Sequence, residues 1–194
     1  MEIDRYQFKK KLSNINRYFI IVCVIIFIIQ VSFPEAFYFL VSNFGLVPIK
    51  IEHGFLWQII TYAFVHAGIV HLLYNLLFIW QLGTDVENEV GKNKYILLIL
   101  FVLISSGLSV FLLRFGSSIP NIGSSSLVYG IIGSYIFLFP KKYFFNEKIK
   151  LQYLLVAFIF LDIVVNPEIG HIVGFVIGYL FFKLDFPKKL GIIK

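Results

Sequence analysis

The chain contains one cysteine, one methionine, six prolines and few charges. A lone Cys23, set inside an apolar run, excludes an intramolecular disulfide and argues against redox chemistry. Charged residues make up only 14% of the 194 positions, where a soluble domain carries roughly 25%. They are clustered, so long stretches carry none. No run alternates apolar with polar residues, which excludes an outer-membrane barrel. There is no internal repeat and no Pro/Ser linker, so residues 1–194 read as a single domain. The first apolar run is followed by "QVSFPEAFYF", without a small-residue cleavage pattern. It is therefore expected to be a retained membrane helix and not a secretory signal.

What is present is apolar: 59% hydrophobic and 19% aromatic residues, 23 of them Phe, with a mean hydropathy of +0.86. This composition predicts an all-α, polytopic membrane protein. Uncharged runs at about 18–33, 59–83, 95–113, 125–140, 151–166 and 169–183 predict six transmembrane helices. The fourth and sixth are short, close to 15 residues each.

The 17 Lys and Arg residues fix an expected orientation. Fifteen fall before the first run, between the second and third, between the fourth and fifth, or after the sixth. Only Lys50 and Arg114 fall on the other side. The excess of positive charge on cytoplasmic loops then places both termini in the cytoplasm, with 1–17 as a basic N-terminal segment and 184–194 as a cytoplasmic tail. This also accounts for the net charge of +6 without nucleic acid. Residues 34–58 include "AFYFLVSNFGLVPI", too short to cross and interrupted by Asn43, Gly45 and Pro48. They are expected to form an outward loop in the outer interface, anchored by aromatics.

Polar residues gather at one depth. The second run holds His66, His71 and Asn75, the last two being four apart and so on one helix face. The fourth run opens with "GSSS" and the sixth with "GHIVGFVIG". At about 1.5 Å per residue, His71 lies roughly 18 Å above Gly83, His171 roughly 18 Å above Lys183, and Ser125 roughly 24 Å above Lys141. In hydrocarbon about 30 Å thick, these groups are expected about 5–12 Å below the outer surface. Short helices leave space above them, which predicts a water-accessible cavity opening outward. Buried polar groups in lipid are costly and by default mark a functional site. A serine and a histidine at like depth point to a nucleophile and its base. His71 and Asn75, with the backbone N–H groups at the start of the fourth helix, offer donors to a developing oxyanion. The stripes Ser126, Gly130, Ser134 and His171, Gly174, Gly178 would let those two helices approach closely.

These residues resemble the rhomboid family of intramembrane serine proteases. The resemblance rests on His66, His71 and Asn75 in a His-x4-His-x3-Asn pattern, on Gly123-Ser124-Ser125 followed by Tyr129 and Gly130, and on His171 followed by Gly174 and Gly178. Trp57 and the Gly83, Glu87, Gly91 series are also similar to family features. The resemblance implies a six-helix rhomboid-like bundle and a Ser125–His171 dyad, with no third acid, no metal and no cofactor. It implies His71, Asn75 and the Ser125 amide as oxyanion donors, a structural His66, and Tyr129 packed on His171. Substrates would be transmembrane segments of other proteins. Three positions depart from the pattern. Ser126 stands where the family usually has Gly; a side chain there could crowd the oxyanion site, but serine is the least disruptive choice, so activity is expected to be retained, if slowed. Gln58 stands where Arg is common, and Val173 where a glycine is usual.

The alternatives are weaker. Gly123 to Ser126 alone would read as a helix cap and packing notch. His66 and His71, five apart, should lie on different faces, with no Cys or carboxylate near in sequence to complete a metal site. Asp162 could orient His171 as a third triad member, but reads better as a helix-end residue. Glu87 and Gly91 are expected to shape a cytoplasmic turn, and Tyr74, Phe78 and Trp80 to be ordinary lipid or core aromatics. A transporter would require paired intramembrane acids, and Asp162 is the only acid within a run. A catalytically inactive rhomboid-like protein that binds membrane clients is the chief rival. The Lys/Ile/Phe-rich composition and the lack of extra soluble domains point to a bacterial inner membrane.

Overall fold

A computed structural model of the chain describes residues 12–144, 149–165 and 167–185. The basic positions Arg5, Lys9, Lys10 and Lys11, and most of the expected tail from residue 186 onward, lie outside the described residues. The regular elements among the described residues are helices, apart from one small hairpin, β1 (Tyr143–Phe144) paired antiparallel with β2 (Ile149–Lys150).

Among the described residues, six apolar helices make up the bundle. Three are long and apolar enough to cross a membrane: α1 (Asn14–Ser32), the continuous stretch Ile69–Val90, and α7 (Lys92–Leu113). Three are shorter: α8 (Ser125–Leu138), α9 (Leu151–Val165) and α10 (Ile169–Lys183). The Ile69–Val90 stretch is α5 (Ile69–Phe78), one wide π turn (Ile79–Gly83) and α6 (Thr84–Val90).

That second helix corrects the expectation of a run over 59–83. Residues 58–64 form two short turns, α4 (Gln58–Thr61) and the 3₁₀ turn Tyr62–Phe64. The main helix starts only after Gly68, so His66 lies in the connection before it. At the other end the polar "TDVENEV" continues the helix because its acids find partners. Glu87 accepts hydrogen bonds from the Ile15 N–H (3.2 Å) and Asn16 N–H (3.4 Å), capping the first turn of α1 from a neighbouring helix. Asp85 accepts from the Tyr135 hydroxyl (3.0 Å) and pairs with Lys142 at 3.7 Å. Glu87 thus does more than shape a turn. Gly91, at φ +82°, makes the turn into α7.

Residues 34–58 contain two short helices, α2 (Pro34–Phe44) and α3 (Pro48–Glu52), joined and followed by non-helical residues. Of the residues that read as interruptions, Gly45 and Pro48 are helix boundaries, while Asn43 lies within α2. Pro34 and Pro48 occupy first-turn positions, where a missing N–H costs nothing, and Gly45 ends α2 by donating to Leu40 and Val41 carbonyls. Tyr38 and Phe39 on α2 are exposed. Trp57 and Gln58 tie this segment down: Trp57 Nε1 donates to Asn43 O (2.8 Å), and buried Gln58 receives the Val47 N–H (2.9 Å) and donates to Ser42 O (3.0 Å). An amide here holds the backbone in both directions, which an arginine, having only donors, does not do.

α10 packs most extensively on α8 and then on α7. The small-residue stripes make that contact. A Cβ at Gly178 would meet the backbone of Gly130, one at Gly133 the backbone of Phe175 and Tyr179, and one at Gly174 the Ser126 carbonyl. Ser134 Oγ lies 2.9 Å from both the Gly130 and Gly178 carbonyls, a hydroxyl shared between the helices. Gly130 presents its other side to Val102 on α7.

Candidate active site

Ser125 is the first residue of α8 and His171 the third of α10. Because the stripes bring these helices together, His171 Nε2 lies 2.7 Å from Ser125 Oγ. The Tyr129 ring, one turn along α8, stacks on the imidazole at 4.5 Å with an interplanar angle of 4°. That contact fixes the ring plane, so Nε2 is aimed at the hydroxyl. Both side chains border a partly open cavity of about 350 Å³, together with His71, Tyr74, Asn75, Asn121, Ile122, Tyr129 and Glu168.

The loop entering α8 presses against His71. Gly123 has φ +113°, a conformation L-residues rarely adopt, and a Cβ there would lie 2.7 Å from His71 Nε2. Its N–H donates to Tyr62 O (2.9 Å). The first intrahelical bond of α8 runs from Val128 N–H to Ser124 O, so the Ser125 and Ser126 amides are directed out of the helix start. Asn75 is buried one turn below His71 and donates to its carbonyl (2.9 Å) while bordering the same cavity.

His66 lies behind this wall, fully buried. Its Nε2 lies 3.2 Å from the Ser124 hydroxyl and 3.5 Å from the Ser124 N–H, tying the loop before α8 to the turn before α5. The expectation that His66 and His71 sit on different helix faces is wrong. His66 precedes the helix, and the two rings meet edge to face at 5.3 Å. Gln30 of α1 holds this turn by donating to His66 O (2.9 Å) and accepting from its N–H (3.3 Å). Among the described residues no group of three His, Cys, Asp or Glu could hold a metal ion.

Ser126 does not crowd the cavity. It is buried, its Oγ lying where a Cβ on Gly170 would come within 2.8 Å, and it neighbours the Tyr62 hydroxyl. The Asp162 side chain lies outside the described residues. Tyr74 and Phe78 both pack on Phe158 of α9, at 5.7 and 5.4 Å, and Phe158 also approaches Tyr129 at 6.1 Å. Asn121 and Glu168 border the cavity and escaped sequence reading. The available signal was an acid immediately before the last helix.

Residues 53–188 match the family model described as the Rhomboid domain. The chain belongs to the rhomboid family. It is similar to the putative rhomboid protease YdcA of Bacillus subtilis (strain 168), with 28% identity over 72% of each chain. It is also similar to the rhomboid protease GluP of the same organism, 31% identical over 45% of this chain and 17% of GluP. The rhomboid protease GlpG of Klebsiella pneumoniae is 37% identical over 42% of this chain and 28% of GlpG. The matches to GluP and GlpG thus span less than a third of those proteins. Family membership and the apolar helices together make this rhomboid an integral membrane protein with a membrane-embedded helical bundle.

Proposed function

We propose that this rhomboid is an intramembrane serine endopeptidase in which Ser125 is the nucleophile and His171 its general base. The 2.7 Å contact between Ser125 Oγ and His171 Nε2 carries the reading. Proteases among its relatives support it. In this reading all six apolar helices cross the membrane, both termini are cytoplasmic, and the cavity opens on the outer side of a bacterial inner membrane. The substrate is a transmembrane segment of another protein, partly unwound as it enters between α5 and α9. No metal, cofactor or nucleic acid takes part.

The chemistry follows from the atoms. With Nε2 accepting from Oγ, the imidazole carries its proton on Nδ1. As Oγ bonds to the substrate carbonyl carbon, its proton passes to Nε2. The carbonyl oxygen becomes an oxyanion beside His71, the Asn75 amide and the N–H groups at the start of α8, donors already oriented before charge develops. Collapse breaks the C–N bond, and His171 protonates the departing amine. Water from the cavity then attacks the acyl-serine, with His171 again taking a proton. Tyr129 keeps the ring from rotating away between the two transfers.

The test is labelling of purified protein by a fluorophosphonate, together with cleavage of a model transmembrane substrate. Ser125→Ala and His171→Ala are each expected to abolish both, with the fold retained. Cleavage surviving in Ser125→Ala would overturn the proposal. A wild-type protein without Ser125-dependent label would favour the inactive, client-binding alternative.

A further inference from the structure

We propose that Glu168 is a positioning residue for the Ser125–His171 pair, holding the start of α10 against the loop that delivers the start of α8. The inference rests on the protease reading above and assigns a role to a residue outside the dyad and its oxyanion donors.

Glu168 occupies the N-cap position of α10, yet its side chain makes no capping bond to its own helix. The carboxylate instead reaches outward. Oε1 accepts from Arg114 Nη2 at 3.3 Å, and Oε2 accepts from Asn121 Nδ2 at 3.3 Å. Arg114 is the C-cap residue of α7. Asn121 lies four residues before Ser125 and is paired with Leu46, its N–H donating to Leu46 O (2.8 Å) and its carbonyl receiving the Leu46 N–H (2.9 Å). One carboxylate therefore joins the end of α7, the segment between α2 and α3, and the approach to the nucleophile. Through its own backbone it joins these to His171, whose N–H donates to Glu168 O (3.0 Å).

The placement matters because both dyad residues sit at helix starts. The glycine stripes lock α8 to α10 below the dyad, whereas the chain from 115 to 124 has no regular structure. Without the carboxylate, nothing else described links the Asn121 side chain to α10. The bland alternative is that Arg114–Glu168 is a surface ion pair, since each side chain is 34% exposed, and such pairs contribute little to stability. The two readings separate cleanly. A decorative pair leaves the rate untouched. A positioning contact leaves stability nearly untouched but slows the chemistry, because small displacements of reacting groups are amplified in the rate.

The experiment compares fluorophosphonate labelling and substrate cleavage for wild type, Glu168→Gln and Glu168→Ala in one detergent, with thermal midpoints measured alongside. Glu168→Ala is expected to lower kcat about tenfold or more with KM nearly unchanged. Glu168→Gln, which keeps one acceptor oxygen, should fall between it and wild type. The double variant Arg114→Ala/Asn121→Ala keeps the carboxylate but strips its partners, and should match Glu168→Ala. Wild-type kcat in Glu168→Ala or in the double variant, or a loss confined to KM, would overturn the inference while Ser125-dependent labelling of the wild type leaves the protease reading standing. A wild type without that label would overturn both.

Discussion

Gly178→Ala tests whether helix contact sets the geometry of the dyad. A Cβ at this position would lie 2.6 Å from the Gly130 carbonyl carbon and 2.7 Å from its Cα, with the carbonyl oxygen nearer still. Ordinary contact begins at 3.4 Å, so α8 and α10 must part by at least about 0.8 Å. The obstacle is backbone, so no side chain can rotate away. Separation also breaks the shared Ser134 hydroxyl bridge. Overpacking of this kind costs about 1–3 kcal/mol. The effect on the site follows from geometry. His171 lies seven residues earlier on the same helix, two turns or about 10 Å away. Carried rigidly, the shift takes the 2.7 Å contact between Ser125 and His171 to at least about 3.5 Å, the limit of a hydrogen bond. A misplacement near 1 Å costs on the order of a hundredfold in rate. The assay is the fluorophosphonate labelling rate in detergent, normalised to folded protein. Gly68→Ala is the control, because a Cβ there meets nothing within 4 Å. A wild-type labelling rate for Gly178→Ala would refute the idea that this glycine contact sets the dyad distance.

Two further outcomes bear on the walls of the site. Gly123→Ala should slow labelling at least about tenfold, because its positive φ is strained for alanine and the new methyl displaces the His71 ring; an unchanged rate would show that His71 needs no fixed position. Gln30→Leu should destabilise by about 1–3 kcal/mol, since it orphans the buried N–H and C=O of His66. A lower thermal midpoint in detergent is the readout, and an unmoved midpoint would remove Gln30 from the account of how that turn is held.

Much of the architecture was legible because membrane helices are written in uncharged length. The runs at 95–113, 125–140, 151–166 and 169–183 match α7, α8, α9 and α10 to within a few residues. The stripes on α8 and α10 were legible for a similar reason: small residues at helical spacing have few uses other than close approach. The second helix was misplaced for a reason composition could not reveal. Asp85 and Glu87 looked like loop because a sequence does not display their partners, Tyr135, Lys142 and the amides of Ile15 and Asn16, which are distant along the chain. His66 was misjudged with it, since a helical wheel applies only to residues in the helix. Gln30, Asn121 and Glu168 were missed because their roles depend on backbone or side-chain groups in other segments, contacts with no local periodicity.

The position beside Ser125 shows how such a local reading goes astray. From the chain alone, Ser126 in place of a family glycine adds bulk beside the proposed oxyanion site. On a helix, however, adjacent residues point about 100° apart. With Ser125 facing the cavity, Ser126 turns toward α10, where the facing residue is Gly170 and a Cβ would come within 2.8 Å of the serine oxygen. The added hydroxyl is met by an absent side chain across the contact. The question then moves from the oxyanion site to the interface between α8 and α10. What matters there is whether the two backbones still approach closely enough for Ser125 to meet His171, and the 2.7 Å separation is the structural consequence of that fit.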